Sequence, residues 1–496
     1  MEFPPSEIVG LARRAAIGKY AEIMRGTPGQ IMIVRCCIAA VMLNASAAFA
    51  QALTPAETAQ VDKIVTDTLG VGGVPSVSVA IVRGGGIVFA KAYGKQSEAN
   101  AAPDADAPYQ IASISKQFTA AAILLLADEG KLGLDDTVAK FVPGVTGGDT
   151  ITIRQLLSHT AGLQDYWPQD YSFKDMATPV EPQGIVDRWA KKPLDFAPGT
   201  QWQYSNTGYV VAGLIVEKVS GRSLLDYLEA KVFKPLGIKA MDQDLAIGPR
   251  YPQGYGRAAM GPVRPVVPAA HGWLFAAGEL SMSARDLAKW DIARMNRAVL
   301  TPADWAVQET PVKLADGSST GYGLGVQVAT TNGRRTIEHS GEAVGFLSEN
   351  IVFPDEKVAV VVFTNTWSSE AFQVIAQGIV KAVLPPPAAD AADTAATERA
   401  KAVFAALRTG TPNRAALTDN ANAYFDATVL GDYKASLATL DTPTSFVQTG
   451  RTRLRGGFVN RSYRVTFAGQ TLSVSTYAEP GDRGRYEQFL VTPAVR

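Results

Sequence analysis

The chain has 496 residues, 47 of them basic and 47 acidic, with 47% hydrophobic and 19% charged residues. This is ordinary globular composition, long enough for about three domains, and it excludes a disordered, collagen-like or coiled-coil chain. Zero formal net charge and no long basic run leave no footprint for a nucleic-acid partner, and three histidines with two cysteines leave little for a Cys/His metal site.

In chain order, Arg25 and Arg35 precede the apolar run from Cys36 to Leu43, which ends in Ala48-Phe49-Ala50. A positive start, a short apolar stretch and a small-x-small site make the pattern of a secretory signal peptide. Residues 1–50 are therefore expected to be a leader, cleaved near Ala50, with Met24 or Met32 as the more natural start. The expected product is periplasmic or secreted from a bacterium and not lipid-anchored; a buried N-terminal helix is the competing reading. The run is too short for a comfortable membrane span, and no later stretch reaches eighteen consecutive apolar residues. Cleavage would remove both Cys36 and Cys37, leaving no disulfide or thiol chemistry.

Val77, Val79 and Ile81 alternate, and Gly84-Gly85-Gly86 turns the chain into Ile87–Ala90, a hairpin signal. From Ser113 to Glu129 the apolar period changes to three and four, with Gly130 placed to stop a helix. Helices are also expected at 209–219, 283–296 and 369–383, and strands at 323–329, 335–339, 346–353 and 358–364. Strands at both ends around a helical middle predict an α+β fold, with one antiparallel sheet assembled from the two ends of a catalytic domain spanning 51–384. The Pro/Ala-rich stretch 385–396 reads as a linker. Beyond it, 397–496 reads as a small α+β accessory domain: helices at 397–407 and 414–440, then strands at 445–449, 458–467, 472–477 and 486–491.

Three short patterns carry the chemistry. Ser113-Ile114-Ser115-Lys116 places a hydroxyl and an ammonium on one helix face, where a partly desolvated lysine can lose its proton and serve the serine as base. Near a helix start the serine also gains from exposed N–H groups. About two such S-x-x-K patterns arise by chance in this length, so alone it reads as a polar helix start. Tyr204-Ser205-Asn206 can direct a phenol and an amide into one cleft, the first as base or proton relay, the second to hold a carbonyl. Its bland reading is a turn asparagine beside a packed tyrosine. His339-Ser340-Gly341, on an expected strand, offers a ring N–H, a hydroxyl and a glycine to an acyl-binding groove, the glycine allowing substrate backbone to approach closely. Alone it is a strand histidine.

Together and in this order the three resemble the serine β-lactamase and penicillin-binding protein family, in its class C-like branch. The flanking segments Ile111–Thr119, Gly130–Asp136, Leu156–Leu163, Tyr322–Gly325 and Val360–Asn365 are similar as well, so the resemblance covers about 55–385. It implies Ser113 as the acylated nucleophile, Lys116 and Tyr204 as its proton-transfer partners, and Asn206 and His339 as substrate-orienting groups. The oxyanion hole would be the N–H of Ser113 with that of Glu342. No metal or organic cofactor is implied. Where many members carry Lys-Thr-Gly this chain has His339-Ser340-Gly341, and a histidine, near neutral at pH 7, attracts a substrate carboxylate less than a fixed ammonium. The expected substrates are therefore small esters or peptides, as for the family's esterase and D-aminopeptidase members. β-Lactams or D-Ala-D-Ala peptides are the alternative, and a non-catalytic cell-wall binder or sensor the second alternative.

Gly317-Ser318-Ser319-Thr320-Gly321 matches a nucleophile elbow but lacks the strand before and helix after that such a turn requires. Ser348-Glu349-Asn350 reads as strand surface, His159 as a loop-fixing residue and His271 as a cleft or packing residue. The histidines have no metal-ligand spacing.

Overall fold

Thr54 caps the first helix through a capping box with Glu57, Pro55 supplies a preset first turn, and Gly73 at φ 63° closes the other end. This helix, α1 (Pro55–Gly72), leads into the hairpin β1 (Ser76–Arg83) and β2 (Gly86–Gly94). Its turn is Gly84-Gly85, both at positive φ, as a two-residue hairpin requires. The computed structural model describes residues 51–494 apart from 100–101, 168–173, 258–260, 332, 368–369 and 385–390. The expected leader, 1–50, lies outside the described residues.

Four strands from the far end complete the sheet: β3 (Gln327–Thr331), β4 (Arg334–Ala343), β5 (Phe346–Phe353) and β6 (Val358–Thr364). The order is β2-β1-β6-β5-β4-β3, antiparallel throughout, so β1 pairs with β6 across nearly the whole domain (Val79 opposite Val362). The sheet is thus built from both ends of the domain, as the sequence predicts. Alternation serves two cores. Val77, Val79, Ile81, Val360 and Val362 pack with α1 and α5 (Ala371–Val383) on one face; Ala80, Val82, Val361 and Phe363 belong to the larger core on the other.

That larger core holds α2 (Lys116–Asp128), α3 (Asn206–Ser220) and α4 (Ala284–Met295). The expected 113–129 helix starts as a 3-10 turn, Ala112–Ser115, before α2 begins at Lys116. Gly130 at φ 68° follows it, the left-handed conformation that ends helices. Beneath α2 the amide oxygen of Gln117 accepts from Trp290 Nε1 (2.7 Å) and Arg294 Nη2 (2.8 Å). Arg294 in turn pairs with Glu309, which also binds Arg297 and Arg335.

The chain divides into two compact units, 1–386 and 387–496. The second has its own core and an antiparallel sheet of four strands, β7 (Ser445–Arg455), β8 (Phe458–Thr466), β9 (Thr471–Ala478) and β10 (Tyr486–Pro493). Its first helix, α6, runs Ala391–Thr409, so residues 391–396 are helix and not linker. Alanine, the strongest helix former, accounts for the earlier start. The expected 414–440 helix is broken into a 3-10 turn, α7 (Asp419–Tyr424) and α8 (Ala427–Leu437), with Thr418 and Asp426 each capping a new start.

Candidate active site

Ala112, a non-glycine residue at φ 49°, bends the chain immediately before Ser113. Such strain persists only where its surroundings hold it, and here it presents the serine at the head of α2. One turn on, Lys116 is fully buried. Its Nζ lies 3.0 Å from Ser113 Oγ, 2.7 Å from Asn206 Oδ1 and 2.7 Å from the carbonyl oxygen of Ala277. Burial lowers the Lys116 pKa to about 7, with the nearby Asp165 carboxylate pulling the other way. The two carbonyl oxygens can only accept. A neutral Lys116 amine therefore gives its two hydrogens to them and turns its lone pair toward the Ser113 hydroxyl.

Asn206 opens α3, where the Ser205 side chain caps the helix. Its amide is oriented by Asp165, which accepts from Asn206 N (3.0 Å) and from Nδ2 (3.1 Å), leaving Oδ1 for the lysine. Asp165 escaped the sequence reading because nothing in its own neighbourhood marks it; it meets Asn206 only across the folded loop. Burial raises its pKa while these donors and Lys116 oppose the rise.

Tyr204 is half-buried, and burial pushes its phenol pKa up while a hydrogen bond with Ser113 pulls it down. The phenol thus remains protonated at neutral pH. His159 holds it in place: the imidazole stacks on the Tyr204 ring (centroids 4.2 Å apart, 32° between planes), and Ser205 N donates to His159 Nδ1 (3.1 Å). The His159 carbonyl accepts from Gln203 N (3.0 Å), so the loop-fixing role expected of His159 is what its contacts provide.

His339 differs from expectation. Its Nε2 is 2.7 Å from the Tyr322 hydroxyl and its Nδ1 2.5 Å from the Ser340 carbonyl oxygen. Burial, then the Lys116 charge, lowers its pKa to about 3. A neutral ring donating from Nδ1 and accepting at Nε2 satisfies both contacts, so it presents no spare ring N–H to a substrate. Tyr322, which pins it, was read only as part of a flanking motif. Gly341 also has another purpose than substrate approach. A Cβ there would lie 2.2 Å from Ile111 O and 2.3 Å from Ser348 Oγ, so the bare glycine lets β4 close on the Ile111–Ser113 turn itself. Ser348 is accordingly buried and donates to Ile111 O (2.9 Å), and Asn350 donates to Asp291 (2.8 Å); both are core contacts and not strand surface.

Ser340 and Glu342 are exposed on β4. β3 begins at Gln327, opposite Glu338, so among the described residues His339–Ala343 has no strand partner on that side. Glu342 lines a narrow cleft of about 40 Å³ together with Ser113, Tyr166, Trp167, Tyr204 and Asn206. Ser319 lies on an exposed turn remote in kind from a strand–helix elbow, its region bridged as Lys313 to Ser319. His271 is exposed and paired with Asp244, which raises its pKa.

A serine, a buried lysine and a tyrosine converging at one cleft beside an antiparallel sheet define a serine hydrolase of the β-lactamase-related type. The chain belongs to the beta-lactamase family, whose profile matches residues 61–384. Penicillin-binding protein 4* of Bacillus subtilis is 29% identical over 326 residues, 62% of this chain and 70% of the relative. Protein flp of Staphylococcus aureus is 30% identical over 332 residues, and the match spans only 64% of its length. Among solved structures, a D-stereospecific amidohydrolase from Streptomyces is similar with TM-score 0.57 and 27% identity, over 66% of this chain and 99% of that one. A penicillin-binding protein homologue from Pyrococcus abyssi, described as octameric, shares the fold at TM-score 0.59 and 22% identity over 88% of this chain.

Proposed function

We propose that the protein is an exported hydrolase of small amides, peptides or esters, working through an acyl-enzyme on Ser113. The observation that carries this reading is the 3.0 Å approach of a buried, low-pKa Lys116 to the Ser113 hydroxyl. Neutral Lys116 takes the Ser113 proton as Oγ attacks the carbonyl. The N–H groups of Ser113 and Glu342 hold the oxygen as it becomes negative, aligned by the edge of β4. Tyr204, protonated and bonded to Ser113, gives its proton to the departing amine or alkoxide and recovers one from the Lys116 ammonium. Water then enters, the same groups run in reverse, and acid is released. Asn206 and Asp165 hold the lysine, while His339, neutral and tied to Tyr322, backs the Tyr204 ring. A cleft without a cation at position 339 suits substrates lacking a carboxylate beside the scissile bond. The similar Streptomyces enzyme, an amidohydrolase by name, points the same way.

Export rests on the 1–50 pattern. Among the described residues no helix is long and apolar enough to cross a membrane. The test is a serine-directed phosphonate followed by intact mass. One adduct per chain, lost in Ser113→Ala, supports the reading; no adduct on folded protein would favour a binder that kept the fold.

A further inference from the structure

The segment from His271 to Glu279 carries Ala277, whose carbonyl oxygen seats Lys116. Both ends of that segment return to one place in the fold. Asp242 closes the short strand Ala240–Asp242, and the helical turn Gln243–Ala246 follows it, with Asp242 accepting from Asp244 N (2.8 Å). At one end of the segment His271 Nδ1 meets the Asp244 carboxylate; at the other the Glu279 carbonyl oxygen accepts from Gln243 N (2.8 Å). One nitrogen or carboxylate oxygen from each of Asp242, Asp244 and His271 lies within 4.8 Å of the other two.

Negative charge gathers here with little to balance it. Among the described residues no lysine or arginine pairs with Asp242, Asp244 or Glu279, and the charges acting on His271 are those of Asp244, Asp242 and Glu181. Glu279 is an independent sign. It is 9% exposed and has no side-chain hydrogen bond or ion pair among the described residues. The charges that reach its carboxyl are those of Asp242, Glu217 and Asp244, so it faces the cluster from the buried side, and burial with these anions pushes its pKa up to about 8. Gln243, next to both aspartates in sequence, is 2% exposed and leaves its Oε1 without a partner. Buried acceptors that lack donors cost free energy, and a cation among them offsets it.

We propose that Asp242, Asp244 and His271 bind one divalent transition-metal ion, zinc by the chemistry of its donors, with Glu279 as buried negative charge behind it. An imidazole beside carboxylates suits zinc, whereas calcium and magnesium take oxygen ligands. Tetrahedral zinc, with bonds of about 2.0–2.1 Å, sets its ligand atoms about 3.3 Å apart, a separation that small side-chain rotations supply, and water completes the fourth position. His271 binds as the neutral imidazole and releases its proton to solvent. The ion ties the strand end at Asp242 to the segment that seats Lys116, so its role is to brace that segment. Spacing between histidines could not reveal the site, because two of its three ligands are carboxylates from another element.

The test uses the full chain stripped of metal by a chelator, with zinc chloride alone as the probe. Calorimetry should show one zinc bound per chain, and His271→Ala and Asp244→Asn should each weaken binding by about tenfold or more. In NMR with labelled imidazoles, zinc should move the His271 signal and leave those of His159 and His339 in place. The urea midpoint read by tryptophan fluorescence should rise with zinc in wild type but not in either variant, and calcium should raise neither. The zinc-free urea transitions of the variants report that they fold. No saturable binding up to about 1 mM zinc overturns the assignment. So does equal binding in wild type and both variants, which would place the ion elsewhere, Cys36 and Cys37 included, and so does calcium binding as tightly as zinc.

Discussion

Lys116 meets the carbonyl oxygen of Ala277 at 2.7 Å, a contact across 161 residues of sequence that aims the amine at Ser113. One of the two acceptors holding the lysine is therefore backbone, which side-chain substitution cannot remove. The consequence is a pH profile. With its pKa lowered to about 7 by burial, Lys116 becomes a base as pH rises through neutrality. kcat/KM for a neutral ester should climb through about pH 7, well under the ordinary lysine value of about 10.4. A profile from pH 5 to 9.5 checks this, and a limb starting only near 10 would contradict it.

Tyr204→Phe removes the phenol proposed to protonate the leaving group but keeps the ring that His159 stacks against. Amide turnover should fall about 10²–10⁴-fold, the ordinary worth of a positioned acid or base. Aryl esters, whose leaving groups need no proton, should lose less. Equal losses on both substrates would place the phenol's role elsewhere.

Gly325 has φ 75°, and a Cβ there would lie 2.6 Å from the Lys116 carbonyl oxygen and 2.8 Å from its carbon. Backbone atoms at the head of α2 cannot yield cheaply. Gly325→Ala should cost about 1–3 kcal/mol of stability and lower kcat by displacing the lysine. All seven tryptophans precede residue 386, so their fluorescence in urea follows this unit alone.

Glu309 is almost fully buried beside Arg294, with Arg297 and Arg335 also bound to it. Burial raises its pKa, but the three arginines outweigh that and hold it below the usual range. Glu309→Ala strands Arg294 without its partner and should destabilise the unit by about 3–5 kcal/mol. Because the folded pKa is depressed, this stabilisation is present above the ordinary glutamate value of about 4.3 and lost as pH falls through the lower folded one. Urea midpoints at pH 7 and pH 3 should differ more for wild type than for the variant.

The three histidines should separate in NMR with selectively labelled imidazoles. His271, exposed and raised by Asp244, titrates at or above the usual value of about 6.5. His339, lowered to about 3 by burial, stays neutral at pH 5, and burial holds the His159 pKa well below the usual value. Titration of His339 near pH 6.5 would show that its Tyr322 contact does not hold.

What could be read in the sequence was what lies close along the chain. Ser113 and Lys116 are one helical turn apart, so spacing alone put them on one face. Strands β5 and β6 stand out because their apolar residues face two cores. Gly130 stops α2 by its own backbone freedom, and the Gly84-Gly85 turn likewise needs nothing distant. Order along the chain, from Ser113 to Tyr204 to His339, was enough to suggest one site.

Only tertiary structure could decide which groups serve those residues. Asp165 orients Asn206, Tyr322 occupies the ring that was expected to face substrate, and Gly341 admits the Ile111 carbonyl instead of a substrate. Each relation joins segments distant in sequence, where local pattern carries no information. Hydrogen bonds and close approaches of this kind are selected by how the cores pack the segments together, and so they exist only once the chain has folded.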